Sequence, residues 1–194
     1  MIAISADRGK KFQPDRGNYL MKANQLEYEQ LTRDIFDKVR MIDRNDIPES
    51  YVDTVDAIMD LTDYGFIHGC IGHTYAVKAD GRYISVILLG EALHWETDPP
   101  EMSEQPFYRL MGFVVDKEYR GKGFGSKILE HTISAVYHDF GVRPIALGCH
   151  KDNTAAARFY VKHGFKQTTY RESDDIYYIR YPDILTGGIH DLLA

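Results

Sequence analysis

The stretch FVVDKEYRGKGFGSKIL, residues 113–129, decides how this chain folds. An apolar run from Phe113 to Val115 gives way to a short polar turn. Glycine then stands at 121, 123 and 125, with Arg120 before the three and Lys122 among them. Beyond them Phe124, Ile128, Leu129, Ile133, Val136, Tyr137 and Phe140 fall at helical spacing. A strand therefore hands over to a helix through the most permissive residue. The first N–H groups of a helix have no partner within it, and the helix dipole adds partial positive charge there. Together they suit an anion, phosphate or pyrophosphate above all, and Arg120, Lys122 and Lys127 add cationic side chains. A tight turn that binds nothing is the other reading the residues leave open. Two nucleotide loops fit poorly. A dinucleotide fingerprint counted from Gly121 has Ser126 at its third glycine, and no acid follows on the next strand at Leu147–Cys149. A Walker A loop needs Ser or Thr after Gly-Lys, and here Gly123 follows Lys122.

Working outward, residues 107–115 (FYRLMGFVV) read as a central strand, with Gly112 marking a bulge or a close backbone approach. PIALGC (144–149) is a short apolar strand, and NTAAARFYVKH (153–163) a helix capped by Asn153 and ended by Gly164. Residues 165–172 and 175–182 form a closing hairpin. Upstream, Ile71, His73, Tyr75 and Val77 alternate as on one strand face, and Asp80-Gly81 turns that strand into YISVILLG (83–90). Residues 91–106, acidic and proline-containing, read as a loop or insertion. Leu26, Leu31, Ile35 and Val39 predict a helix from Gln25 to about Val39. A second helix is expected to start near Pro48 and to end before Gly65, with Val52, Val55, Ile58 and Met59 on its face. Residues 1–18 read as a loose lead-in. The order is that of a mixed sheet with helices packed on it, α/β at its centre and α+β at its ends.

A chain of 194 residues, 44% hydrophobic and 27% charged, is expected to form one globular domain. Its net charge of −6 argues against a phosphate-backbone binder, so no nucleic-acid partner is expected. Cys70 and Cys149 cannot build a disulfide framework, and no Cys/His cluster has zinc spacing, so no metal site is expected. The N-terminus lacks the apolar core of a signal peptide, and no apolar run is long enough to cross a bilayer. A cytoplasmic protein with no membrane partner is the expectation.

The pattern around Arg120, Gly123 and Gly125 resembles the acetyl-CoA-binding motif of the GNAT superfamily of N-acetyltransferases: an apolar strand, a turn, then Arg/Gln-x-x-Gly-x-Gly/Ala opening a helix. A second block, Asn153, Ala156, Phe159, Tyr160, Gly164 and Phe165, resembles that family's Asn-x-x-Ala-x-x-(apolar)-Tyr-x-x-x-Gly-Phe. Two independent blocks on suitable elements are more specific than either alone. The resemblance is strong over 107–170, rests on element order over 71–90, and has no motif support before residue 66. It implies a single acetyltransferase domain over 1–194, with 107–170 as its acetyl-CoA-binding core and a mixed, centrally splayed sheet flanked by helices.

The resemblance further implies an acetyl-CoA-dependent acyltransferase acting on a primary amine of a small molecule or peptide. The backbones of Phe113, Val114 and Val115 would bond the pantetheine arm. The loop Arg120, Gly121, Lys122, Gly123, Phe124, Gly125 and Ser126 would hold the pyrophosphate. Asn153 would fix the pantetheine while capping its helix, or act as a cap only. Tyr160 would be the general acid for the departing thiolate; by residue type alone it reads rather as a core tyrosine on the buried face of its helix. Glu91, His94 and Glu96 are the candidate bases, with His73 and His150 weaker, and none is chosen. Trp95 and the acids of 91–106, Glu96 and Asp98 among them, would draw a cationic acceptor or, the reading the residues themselves favour, form only a solvated surface loop. Family habit raises the expectation of a homodimer. The rival functions are a catalytically silent acyl-CoA-binding module of the same fold and a nucleotide-binding protein of another class.

Overall fold

A computed structural model describes residues 26–91, 96, 98–103 and 105–182. The lead-in 1–18, His94 and Trp95 lie outside them. Among the described residues seven strands form one sheet in the order β1-β2-β3-β4-β5-β7-β6. They are β1 (Leu26–Gln30), β2 (Gly72–Ala79), β3 (Arg82–Glu91), β4 (Tyr108–Val115), β5 (Ile145–His150), β6 (Lys166–Glu172) and β7 (Asp175–Arg180). The helices are α1 (Arg33–Val39), α2 (Val55–His68), the short α3 (Pro100–Ser103), α4 (Phe124–Phe140) and α5 (Thr154–Lys162). Among the described residues, no helix is long and apolar enough to cross a membrane.

Strand alternation sends the two halves of each pattern to opposite faces. Val77, Ile87, Leu89, Leu110, Leu147 and Cys149 meet Ile128, Leu129, Ile133 and Val136 of α4 in one core. Ala76, Val86, Leu88 and Val114 meet Val39, Val55, Ile58 and Met59 of α1 and α2 in another. The sheet is thus covered by helices on both sides, as the element order implies. All neighbouring strands pair antiparallel except β4 and β5, which run parallel and pair only at Tyr108↔Ile145 and Arg109↔Ala146. Beyond Arg109 the two strands diverge, which is the expected central splay.

Several expected elements take a different form. The helix expected from Gln25 begins only at Arg33; Leu26–Gln30 is an edge strand, because β2 offers it a backbone ladder from Leu26↔Ala79 to Gln30↔Tyr75. Glu29 fastens it, accepting from Lys78 Nζ at 2.6 Å and Tyr83 Oη at 2.9 Å. Pro48 opens a single 3-10 turn at Glu49–Tyr51, and the real cap of α2 is Thr54, whose Oγ1 accepts from the Ala57 N–H at 3.1 Å. Gly65 lies inside α2, and the helix ends at Gly69 with φ +66°. The segment 91–106 carries the short helix α3, whose Met102 is buried. The remaining turns follow expectation: Asp80 and Gly81 both have positive φ, as their hairpin requires.

Gly112 serves two purposes. Leu88 pairs with Gly112 and Leu89 with Leu110, so Met111 is the extra residue of a bulge. A Cβ on Gly112 would stand 2.6 Å from Cγ1 of Ile58, so the missing side chain is what lets α2 lie close on β4.

Candidate active site

The divergence of β4 and β5 opens a cavity of about 820 Å³, a generous size for a small-molecule site. Its walls are β4, the start of α4, the end of β5, α5, the turn 46–53 and the start of β7.

The Asp116 N–H donates to the Ile84 carbonyl at 2.8 Å, so residue 116 and, by alternation, residue 114 turn their backbone toward β3. Phe113 and Val115 turn theirs into the gap. Val114 departs from expectation: its carbonyl accepts from Ser85 Oγ at 2.6 Å, and its side chain is buried under α2. The Val115 carbonyl is also taken, by Arg120 Nε at 2.7 Å. The same guanidinium pairs with Asp46 at 2.7 Å. Arg120 therefore braces the turn against residues 43–46, and its charge is shared before any anion arrives.

Gly121 and Gly123 have φ of +71° and +85°, where a side chain is strained, and a Cβ on either would meet nothing within 4 Å. Gly123 is the residue before α4 and offers no side-chain cap. The first helical bond there is from the Lys127 N–H to the Gly123 carbonyl, at 3.3 Å. The N–H groups of Phe124, Gly125 and Ser126 precede it and so have no intrahelical acceptor. Gly121, Gly123, Gly125 and Ser126 line the cavity. Lys122 is exposed with its Nζ 5.8 Å over the Tyr119 ring, and Phe124 sits edge-on to that ring; neither side chain lines the cavity.

On α5, Asn153 Oδ1 accepts from the Ala156 N–H at 3.2 Å, so the cap is real, and the residue also lines the cavity. Tyr160 is half-buried between Phe159 and Phe165, and its hydroxyl has no hydrogen-bond partner among the described residues. Burial, reinforced by Cys149, pushes its pKa well up, so the phenol holds its proton. Cys149 is itself a buried thiol pushed up to about 11 by burial.

The described candidate bases do not line this cavity. Glu91 accepts from the Ile71 N–H and pairs with Arg143 at 3.4 Å; it faces a smaller cavity of about 360 Å³, which meets the first at Leu61, Arg109 and Met111. Glu96 is exposed and lines neither cavity. His73 is 2.8 Å from Asp139 on the α4 side, and burial lowers its pKa. His150 stacks on Tyr51, its Nδ1 accepts from the Asp152 N–H at 3.2 Å, and it does not line the cavity. Asp98 is buried, ion-paired with Arg109 and accepting from the Tyr177 hydroxyl, so its charge is not presented to an acceptor.

Two carboxylates that line the cavity carry no sequence signal of their own: Asp53, just before α2, and Asp175, at the start of β7. Neither makes a hydrogen bond or ion pair with a described residue. Burial raises both pKa values; at Asp175 the His150 ring opposes the rise, while Glu172 and, less strongly, Asp53 add to it. A Cβ on Gly148 would stand 3.1 Å from Asp175 Oδ2, so that carboxylate lies over β5 where β5 has no side chain. Cys149, next along β5, turns the opposite way toward Tyr160. Tyr160 and Asp175 thus reach one cavity from opposite faces of the sheet.

Solved structures with this fold include the PaiA N-acetyltransferase of Thermoplasma acidophilum in complex with coenzyme A, at TM-score 0.58 and 15% identity, covering 81% of this chain and 99% of that one. Arabidopsis thaliana Naa50 in complex with a bisubstrate analogue matches at 0.54 and 18%, covering 79% and 96%. Ard1 of Thermoplasma volcanium matches at 0.55 and 21%, covering 79% and 94%. At such identities the likeness is one of fold. No curated protein sequence matches the chain. The family model described as the acetyltransferase (GNAT) family matches residues 36–165, about two thirds of the molecule, and the chain belongs to that family of acyltransferases.

Proposed function

We propose that this protein is an N-acetyltransferase that moves an acetyl group from acetyl-CoA to a primary amine of a small molecule or peptide. The observation that carries the reading is one cavity holding three things at once: the cradle at Gly121–Ser126, the gap-facing backbone of Phe113 and Val115, and the unpartnered Tyr160 hydroxyl. The residues suit the cofactor. The start of α4 presents N–H groups to open space, as a diphosphate requires. The β4 edge beyond Arg109 lacks a strand partner, as an extended amide-bearing arm requires. Asn153 stands beside it.

Acetyl-CoA supplies the activated acetyl thioester. The chain supplies orientation and two proton sites. Tyr160 holds a proton at its hydroxyl for the departing thiolate. Asp175, with Asp53 beside it, accepts the proton of the incoming amine from the other side of the sheet. The carboxylates Glu49, Asp53, Glu172 and Asp175, which line the same cavity, favour an acceptor that arrives as an ammonium ion. A silent binder of the same fold would need no proton site at Tyr160 and no carboxylate facing it.

Calorimetric titration of acetyl-CoA into the wild type and Gly125→Glu tests the reading. Gly125 is the informative position, because its φ is ordinary and a Cβ there meets Phe159 only at 3.5 Å. The variant is expected to lose binding while its Tm holds or rises, since it replaces a helical glycine. Binding equal to that of the wild type would remove the cradle, and tighter binding of ATP or NAD than of acetyl-CoA would favour a nucleotide-binding protein. Thiol release with a panel of a polyamine, an arylalkylamine and a short peptide then separates enzyme from silent binder.

A further inference from the structure

Ser126, in the first turn of α4, ends a chain of polar contacts that leads away from the cavity. Its Oγ lies 2.9 Å from Nε2 of His163, just past the end of α5. The other ring nitrogen, Nδ1, lies 2.8 Å from Oε1 of Glu130 on α4. Glu130 is held in turn by Arg180 of β7, whose Nη1 donates to its two oxygens at 3.0 and 3.1 Å. Three elements are joined by this chain, and the sequence motifs do not require it.

The direction of each hydrogen bond follows from donor and acceptor chemistry. An ionised carboxylate only accepts, so Nδ1 of His163 carries a hydrogen toward Glu130. In a neutral ring Nε2 is then an acceptor. With the ring neutral, the Ser126 hydroxyl points its hydrogen at His163 and shows only lone pairs to the cavity. An anion beside Ser126 needs the reverse. Once the hydroxyl hydrogen turns outward, Oγ has to accept from Nε2. That requires a hydrogen on both ring nitrogens, and so an imidazolium. The negative charge of the anion favours the same form.

We propose that binding of the CoA diphosphate at the start of α4 is coupled to uptake of one proton by His163, through a reversal of the Ser126–His163 hydrogen bond. The inference rests on the cofactor reading above. Charged side chains on the elements around His163 include Lys127, Glu130 and Asp139 of α4, Arg158 and Lys162 of α5, Lys166, Arg171 and Glu172 of β6 and Asp175 and Arg180 of β7, and of these Glu130 contacts the ring. By linkage, affinity for CoA falls as pH rises, by about tenfold per pH unit where uptake is complete. His163 is a positioning residue here: it acts on the cofactor through Ser126.

The test is a proton inventory. CoA is titrated calorimetrically at pH 8 in phosphate, HEPES and Tris, whose ionisation heats differ. At that pH the phosphates of CoA are fully ionised and do not themselves take up protons. The slope of observed heat against ionisation heat is expected to approach one proton taken up for the wild type, and to vanish for His163→Gln and for Ser126→Ala. From pH 7 to pH 8 the wild-type Kd is expected to weaken, by up to about tenfold for uptake of one full proton, whereas that of His163→Gln stays nearly constant. Dephospho-CoA, which keeps the diphosphate, should retain the uptake. Wild-type binding without proton uptake overturns the relay, as does uptake that survives in folded His163→Gln or Ser126→Ala, or uptake that disappears with dephospho-CoA. Absence of any CoA binding overturns the cofactor reading, and the relay with it.

Discussion

Asp175 carries opposite consequences for stability and for turnover. Burial raises its pKa, with Glu172 and then Asp53 adding to the rise against an opposing His150, so its ionised form is disfavoured in the folded protein. The stability it contributes is present at pH below the ordinary carboxylate range and is lost as pH rises through the raised value. Asp175→Asn is therefore expected to raise the Tm at pH 7 while lowering kcat/KM, a pairing that a merely structural acid would not produce. As a base the carboxylate works only when ionised, so it sets the acid limb of the rate profile. Asp53→Asn removes a neighbouring negative charge and should move that limb to lower pH; an unmoved limb would separate the two acids. For the opposite proton site, Tyr160→Phe is expected to cut kcat by about 10²-fold or more and leave the Kd for acetyl-CoA unchanged. Stopped turnover assays and calorimetry on the same preparation give both numbers. The two residues differ in how they could be found. Tyr160 sits in a spaced block with Asn153 and Gly164, whereas Asp53 and Asp175 are ordinary aspartates in polar surroundings, far apart in the chain. Only the folding of the turn before α2 onto the start of β7 makes them a pair.

At the scale of elements, the β4–turn–α4 unit is written locally, and its glycines show how. Gly121 and Gly123 are required by backbone angle, which a sequence pattern can signal. Gly112 is required by a partner, Ile58, that lies on another element. Gly112→Ala is expected to cost about 1–3 kcal/mol in urea unfolding, the usual range for overpacking. Combining it with Ile58→Val, which removes a methyl group from the contact, should recover part of that loss; strict additivity of the two changes would place the clash elsewhere. The first strand illustrates the limit of periodicity. Leu26, Leu31, Ile35 and Val39 match a helix, yet LEYEQ is drawn into the sheet because the open edge of β2 satisfies its backbone, and only RDIFDKV keeps the helical form. Short apolar patterns of this kind are decided by the partner rather than by the segment itself.

For the whole molecule, one buried network ties the segment after β3 to both halves of the sheet. Asp98 pairs with Arg109 of β4, and the Tyr177 hydroxyl of β7 contacts Asp98, Arg109 and Glu172 of β6. Asp98→Ala would remove a carboxylate partner of the buried Arg109 cation and is expected to cost about 3–5 kcal/mol of stability, read by chemical denaturation. A mere change in acceptor KM at unchanged stability would contradict this. Arg109 is also where the β4–β5 pairing stops, so the network stands at the apex of the splay that forms the cavity. The sequence by itself determined the local pieces: the glycine turn, the capped α5 helix, the hairpin at Asp80-Gly81 and the family to which these belong. Each is encoded by backbone angle, hydrogen-bond geometry or periodicity within a few residues. The tertiary structure alone decided that Val114 turns away from the gap, that Arg120 is spent on Asp46, and that Glu91, Glu96, His73 and His150 do not line the main cavity while Asp53 and Asp175 do. Those outcomes depend on which groups are brought within hydrogen-bonding or Coulomb range, and distance in space is not a property that spacing along a chain contains.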